Sequence, residues 1–203
     1  TGREVYNLGL GGYGPNQYYH LLTTKAFKLH PKWVVCGLYM GDDFENAFSI
    51  TYGLDSWSSL RNGRWDHVDA DIWGPSEPLV WGAGVRNWLS ENSMIYRIVF
   101  HGPLLAMVKE NIRFREALSG NDPNMTALIV EDKNIREAFR PIGIANRLDQ
   151  TSAQILEGMR ITFHLIKEMD KACKQEGCRL LVVIIPTKET VFSEYLENNS
   201  RIH

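Results

Sequence analysis

Asn7-Leu8-Gly9-Leu10-Gly11-Gly12-Tyr13-Gly14-Pro15-Asn16-Gln17 is the stretch on which the reading of this chain turns. It follows a short apolar segment, residues 5–8, that predicts a strand, and it opens a segment of helical character. Closely spaced glycines let the backbone turn sharply and bring its N–H groups near a ligand. Pro15 suits the first helical turn, where a missing N–H is no loss. Such a loop at a helix N-terminus meets negative charge, either a phosphate or an oxyanion that forms during a reaction.

Outward from the loop, the pattern predicts a helix over residues 15–29, ended by Pro31. Residues 33–40, Trp-Val-Val-Cys-Gly-Leu-Tyr-Met, form a continuous apolar run that predicts a strand covered on both faces. Strand, helix and strand in this order predict a right-handed βαβ unit with its two strands parallel. From Phe44 to Pro78 the pattern dissolves into Gly, Ser, Asp and Trp. Helical periodicity returns over residues 84–118, with a break at Gly102-Pro103. Residues 126–130 predict a short strand outside the main sheet. Residues 151–175 predict a long helix, with Ile155, Met159, Ile161, Phe163, Ile166, Met169 and Ala172 on its apolar face and Gly177 at its end. Residues 180–185 predict a second buried strand. The expectation is one α/β domain over residues 1–203, with residues 44–125 as an insertion or lid between the second and third visible strands.

The 203 residues carry 44% apolar and 23% charged side chains, ordinary values for a globular domain. A net charge of −2 and the lack of any Lys/Arg run speak against a nucleic-acid partner. No apolar run approaches the roughly 20 residues of a membrane span. Thr1 and the final Asn-Ser-Arg-Ile-His both read as cut ends of something longer. Cys36 lies mid-strand and reads as an inert core thiol. Cys173 and Cys178 flank a helix end and read as two free thiols or, in an oxidising compartment, a bridge. Neither spacing suits a metal. His67, in Trp65-Asp66-His67-Val68-Asp69-Ala70-Asp71, sits in an acidic loop without convergent ligand spacing. No metal and no cofactor are expected.

Gly9-x-Gly11-x-x-Gly14 formally matches a dinucleotide fingerprint, but the acidic residue belonging roughly 20 residues on is missing and Tyr13 would crowd a pyrophosphate. The exit of the second strand, Met40-Gly41-Asp42-Asp43-Phe44, offers a different comparison. Asn7, Gly12 and Gln17 together with this corner resemble the SGNH (GDSL-type) hydrolase superfamily. Ile185-Pro186-Thr187-Lys188-Glu189 is similar to a segment of its branch akin to bacterial polysaccharide O-acetyltransferases of the alginate type.

The resemblance implies a three-layer α/β/α fold with a parallel sheet (SGNH/flavodoxin-like), incomplete here and carrying a long Trp-rich and helical insertion. It implies acyl transfer from an ester, possibly carbohydrate-linked, by a serine that a histidine activates. Gly12 would give its backbone N–H to the oxyanion, and Asp42 stands where the family has an amide-donating Asn. Asp43 matches the acid that follows and orders the corner or, with Tyr13, touches substrate. The parent protein would be periplasmic or membrane-anchored.

The family's Gly-Asp-Ser block belongs before the loop and its Asp-x-x-His block after the last strand. Neither occurs in this chain. Leu54-Asp55-Ser56 echoes the first in the wrong place. Asp42 either caps the next turn or sits against the oxyanion, where an ionised carboxylate would repel what an amide attracts. Impaired catalysis is therefore expected, and a non-catalytic carbohydrate-binding or scaffold relative is the alternative. Trp57, Trp65, Trp73, Trp81 and Trp88 suit either a sugar platform or packing of the insertion. Bare strand edges would promote self-association.

Overall fold

A computed structural model describes residues 4–10, 12–63, 65, 93, 103–130 and 135–197. In chain order its elements are α1 (Pro15–Thr24), β1 (Trp33–Tyr39), α2 (Asp43–Gly53), α3 (Pro103–Ser119), β2 (Thr126–Val130), β3 (Ile135–Phe139), α4 (Pro141–Arg147), α5 (Ala153–Gln175), β4 (Arg179–Ile185), α6 (Lys188–Val191) and α7 (Ser193–Glu197). Helices and strands mix, and the chain divides into two compact units. The first is Thr1–Ile72 with Ala145–Thr187; the second is Trp73–Ile144 with Lys188–His203.

In the first unit β1 and β4 pair in parallel, from Trp33 opposite Arg179 to Tyr39 opposite Ile185. The strand expected at residues 5–8 is not formed, and β1 takes its partner from the far end of the chain. Locally, Asn7 Oδ1 accepts the Gly9 N–H at 2.9 Å. That bond bends the chain where a ladder would need it straight. Val5 stays 89% exposed.

The β1 run was expected to be covered on both faces, but among the described residues of this unit only one is. Cys36, Val34 and Leu180 pack with Leu22 of α1 and with Met169 and Cys173 of α5. On the opposite face Trp33, Val35, Leu181, Val183 and Ile185 are exposed. Both helices reach the sheet from the same side, which leaves the other uncovered within this unit.

Helix α5 carries the layer. Ile155, Gly158, Ile161, Leu165, Met169 and Cys173 are buried at three- and four-residue steps, whereas Phe163, expected inside, is about half exposed. The Cys178 N–H returns to the Cys173 carbonyl at 2.9 Å past Gly177, closing the helix as a Schellman turn. All three cysteines are free and buried. Residues 43–53, expected to begin an irregular stretch, are instead helix α2, whose Ala47 packs against Ile161 and Leu165. The close approach of the two helices depends on Gly158: an added Cβ would collide with the Phe44 carbonyl oxygen and lie 2.8 Å from its carbon.

The second unit is described separately. There β2 and β3 form an antiparallel pair, Thr126 opposite Phe139, and α3 contributes Ala117 beside Met125 and Ala138. Phe139 and Leu128 pack with Leu196 of α7. The strand at residues 126–130 was expected; its partner, Ile135–Phe139, was not.

Candidate functional site at the glycine loop and the β1 exit

The loop closes onto α1 through short-range bonds. The Tyr13 N–H reaches the Leu10 carbonyl at 3.3 Å, and the Gly14 N–H is received by Gln17 Oε1 at 3.0 Å. Gln17 stands at the third helical position, so this is one half of a capping box. Gly12 has φ +80, a conformation that favours glycine, with open space where a Cβ would stand. Gly11 lies outside the described residues.

At the other side β1 ends with the Met40 N–H bonded to the Ile185 carbonyl at 3.0 Å. Asp42 takes the N-cap position of α2, and its carbonyl receives the Asn46 N–H at 2.8 Å. Asp43 opens the helix, where a negative charge meets the positive end of the helix dipole. Asp43 is only 1% exposed, and its Oδ2 accepts the Tyr39 N–H at 2.7 Å.

One side chain joins the two halves. Tyr18 Oη lies 2.8 Å from the Tyr13 carbonyl oxygen and 3.0 Å from Asp43 Oδ1. Gly14 approaches α2 closely, since a Cβ on it would stand 2.8 Å from Asn46 Cβ. Loop and corner are therefore neighbours at the carboxyl end of β1, where open parallel sheets place ligands.

The electrostatics distinguish the two aspartates. Burial lifts the Asp43 carboxyl to about 6, over the opposing hydrogen bonds from Tyr39 and Tyr18. Hydrogen-bond capacity agrees with the direction. Tyr18 has one hydroxyl proton for two acceptors; a protonated Asp43 donates to Tyr18, which then donates to Tyr13. Burial also raises Tyr18, with Asp43 adding to the shift, and it pushes the nearby Cys36 thiol up to about 11. Asp42 is half-buried, and among the described residues no hydrogen bond reaches its carboxylate. Burial raises it too, while the Arg147 guanidinium opposes the shift.

Arg147 belongs to a cleft of about 210 Å³ with Glu45, Asn146, Ser152 and Gln154 on its walls and Phe48 at its side. Its Nε lies 3.1 Å from Glu45 Oε2. The cleft offers both donors and acceptors, with one cation facing one anion. That composition suits an uncharged polar group better than a free ion.

Behind the cleft, Phe48 stacks on Tyr52 at 4.7 Å between ring centroids and meets Trp65 edge-on at 5.0 Å. Trp57 lies against Tyr19. Trp57 and Trp65 thus pack within the unit, while Trp73, Trp81, Trp88 and His67 lie outside the described residues. Tyr52 also donates to Glu157 Oε1 at 3.0 Å. Burial would raise Glu157, but bonds from Arg160 and Tyr52 prevail and hold it below the usual range.

Of the residues singled out from sequence, Tyr13 and Asp43 meet on the same phenol, and Gly12 and Asp42 are their chain neighbours. Ser56 lies in an exposed 3-10 turn, with Asp55 paired to Arg61 at 3.3 Å. In the second unit Lys188 Nζ lies 3.1 Å from Glu137 and 3.4 Å from Glu110. Sequence reasoning missed Tyr18, Glu45 and Arg147. Tyr18 had a signal, being one turn into the helix that the loop opens; Arg147 sits in no recognisable pattern.

No cluster of three metal-binding side chains occurs among the described residues, and none of their helices is long and apolar enough to cross a membrane. The dinucleotide reading also loses its footing, because the motif requires a strand before the first glycine and residues 4–10 form none. No family model, curated protein or solved structure matches the chain.

Proposed function

We propose that this chain is part of an SGNH-type esterase or O-acyltransferase, with the glycine loop and the β1 exit forming the oxyanion side of its active site. The supporting observation is the shared phenol: Tyr18 contacts the Tyr13 carbonyl and the Asp43 carboxyl, so loop and corner hold a fixed relation. In this reading the fold is the three-layer α/β/α arrangement of that superfamily, and the substrate is an acyl ester, perhaps on a carbohydrate. Gly12 gives its N–H to the developing alkoxide, Asp43 orders the corner from beneath, and Tyr13 borders the substrate.

The nucleophilic serine and its histidine come from blocks this chain does not contain. The reading requires a Gly-Asp-Ser block ahead of Thr1 and an Asp-x-x-His block beyond His203 in the encoded polypeptide. Asp42 limits the chemistry, since an ionised carboxylate accepts hydrogen bonds and cannot steady an oxyanion. Hydrolysis of a p-nitrophenyl acyl ester by the polypeptide of the complete reading frame tests the proposal. Asp42→Asn should raise kcat by about 100-fold or more, the range for one oxyanion donor beginning there. An unchanged rate in an active enzyme removes Asp42 from the oxyanion site. Absence of both blocks and of any hydrolysis leaves the non-catalytic, carbohydrate-binding reading, which the acceptor-only Asp42 favours.

A further inference from the structure

The peptide between Tyr13 and Gly14 is held at both ends. Its N–H is received by Gln17 Oε1 at 3.0 Å, and its carbonyl oxygen lies 2.8 Å from Tyr18 Oη. Among the described residues no other hydrogen bond reaches that carbonyl. Gln17 is uncharged and keeps its bond at any pH. Tyr18 differs, because its oxygen also lies 3.0 Å from Oδ1 of Asp43, a carboxyl that is 1% exposed. A phenol has one proton and cannot give it to two acceptors at once. Which one receives it depends on whether Asp43 carries a proton of its own.

We propose that Tyr18 is a positioning residue for the glycine loop, a latch that holds the Tyr13 carbonyl while Asp43 keeps its proton and lets go once Asp43 ionises. Asp43 Oδ2 already accepts the Tyr39 N–H at 2.7 Å, so the acid proton belongs on Oδ1, facing Tyr18. With the proton there, Oδ1 donates to Tyr18 and Tyr18 donates to Tyr13. Without it, the carboxylate takes the phenolic hydrogen bond, since a bond to an ionised acceptor is roughly twice as strong as one to a neutral carbonyl. The Tyr13 carbonyl then faces an oxygen with no proton to give. The loop is left with the Gly14 N–H on Gln17 and the Tyr13 N–H on Leu10. Gly12, at φ +80 just before Tyr13, gives the released segment a pivot.

The surroundings leave the change to Asp43. Tyr18 stays a phenol, because burial and then Asp43 raise it above its ordinary range. On β1 the Cys36 thiol is pushed up to about 11 by burial. On α2 the Asp42 carboxylate favours the proton on Asp43, while Glu45 is paired with Arg147 at 3.1 Å. On α5, packed against α2, Glu157 is paired with Arg160 at 2.7 Å. His20 of α1 is exposed, and among the described residues no cation pairs with Asp43. The latch stands whether or not the chain cleaves esters; that it would also steady the Gly12 N–H for an oxyanion rests on the catalytic reading.

Hydrogen exchange at the Tyr13 and Gly14 amides of the purified chain tests it, read by NMR on both sides of the transition and divided by the intrinsic rate at each pH. Protection should fall at least about 10-fold as pH rises, with its midpoint at about 6. Asp43→Asn reproduces the protonated acid, its amide N–H turned to Tyr18 and its amide oxygen on the Tyr39 N–H, so protection should keep the acidic value throughout. Tyr18→Phe removes the latch, and protection should keep the alkaline value throughout. Protection that does not change with pH in the parent overturns the proposal. So does a fall that persists in Asp43→Asn or in Tyr18→Phe. Asp43→Asn retains every bond of the corner and decides the matter if Tyr18→Phe does not fold. Exchange reads the loop without reference to ester hydrolysis, so a failed latch and a failed catalytic reading are separate results.

Discussion

Cys36 packs onto α1 and α5 and Leu38 shares its side of β1, at 9% and 4% exposure, while Val35, next to Cys36 in the strand, stands 64% exposed on the other side. The residues of β1 are equally apolar on both sides, so composition does not distinguish them. What differs is the supply of helices: α1 follows the glycine loop and α5 precedes β4, and both come to rest on one face. An apolar run therefore reports that a strand seeks two covers without saying which cover its own chain provides. The covered face holds the helices to the sheet, and the other leaves apolar side chains open within this unit.

That contrast can be broken most severely at Gly158. Gly158→Ala drives a methyl into the Phe44 carbonyl and forces α2 off α5. A loss of about 3 kcal/mol or more is expected in urea unfolding, since backbone rather than a flexible side chain must yield. Next, Leu38→Ala on the covered face should cost about 2–4 kcal/mol, whereas Val35→Ala should change the stability of a single copy by less than about 1 kcal/mol. Similar losses at the two positions would mean that both faces are packed.

The buried corner supplies a pH signature. Asp43 carries its proton more tightly in the folded chain than in the unfolded one, with a folded value of about 6. Its stabilising contribution is complete below the unfolded carboxylate value and is lost as pH rises through about 6. The native chain should therefore lose on the order of 2 kcal/mol between pH 4 and pH 7 from this group. Asp43→Asn should flatten that part of the profile, measured by urea unfolding at each pH. An unaltered slope would assign the dependence to other groups, Asp42 first among them. The smallest effect belongs to the loop: Gly12→Ala has room for its methyl but keeps φ +80, so a loss of about 1 kcal/mol is expected.

The elements legible in the sequence were those with long, uniform signals. Helix α5 declared itself by period and by Gly177, and β1 and β4 by unbroken apolar runs. The segment at residues 5–8 looked equally strand-like, but a strand exists only through its neighbour, and Asn7 instead bends the chain toward Gly9. Helix α2 had the spacing of Phe44, Ala47, Phe48 and Thr51, yet its buried face includes Ser49 and Thr51, which blurs an apolar count. β3 contains Arg136 and Glu137 and shows no apolar alternation. At the candidate site, glycines and paired acids stood out because few local structures need them. Tyr18 carried a signal only in its place one turn into the helix, and Arg147, which acts on Asp42 from more than a hundred residues away, carried none.

Gly158 has no functional group, touches no candidate ligand and lies in the middle of a helix, where glycine is ordinarily a poor choice. Its hydrogen acts as a spacer gauge, fixing how near the start of α2, and with it the acidic pair at 42 and 43, stands to the long helix. A saturation library scored for folding would thus show its sharpest intolerance at a position with no chemistry of its own.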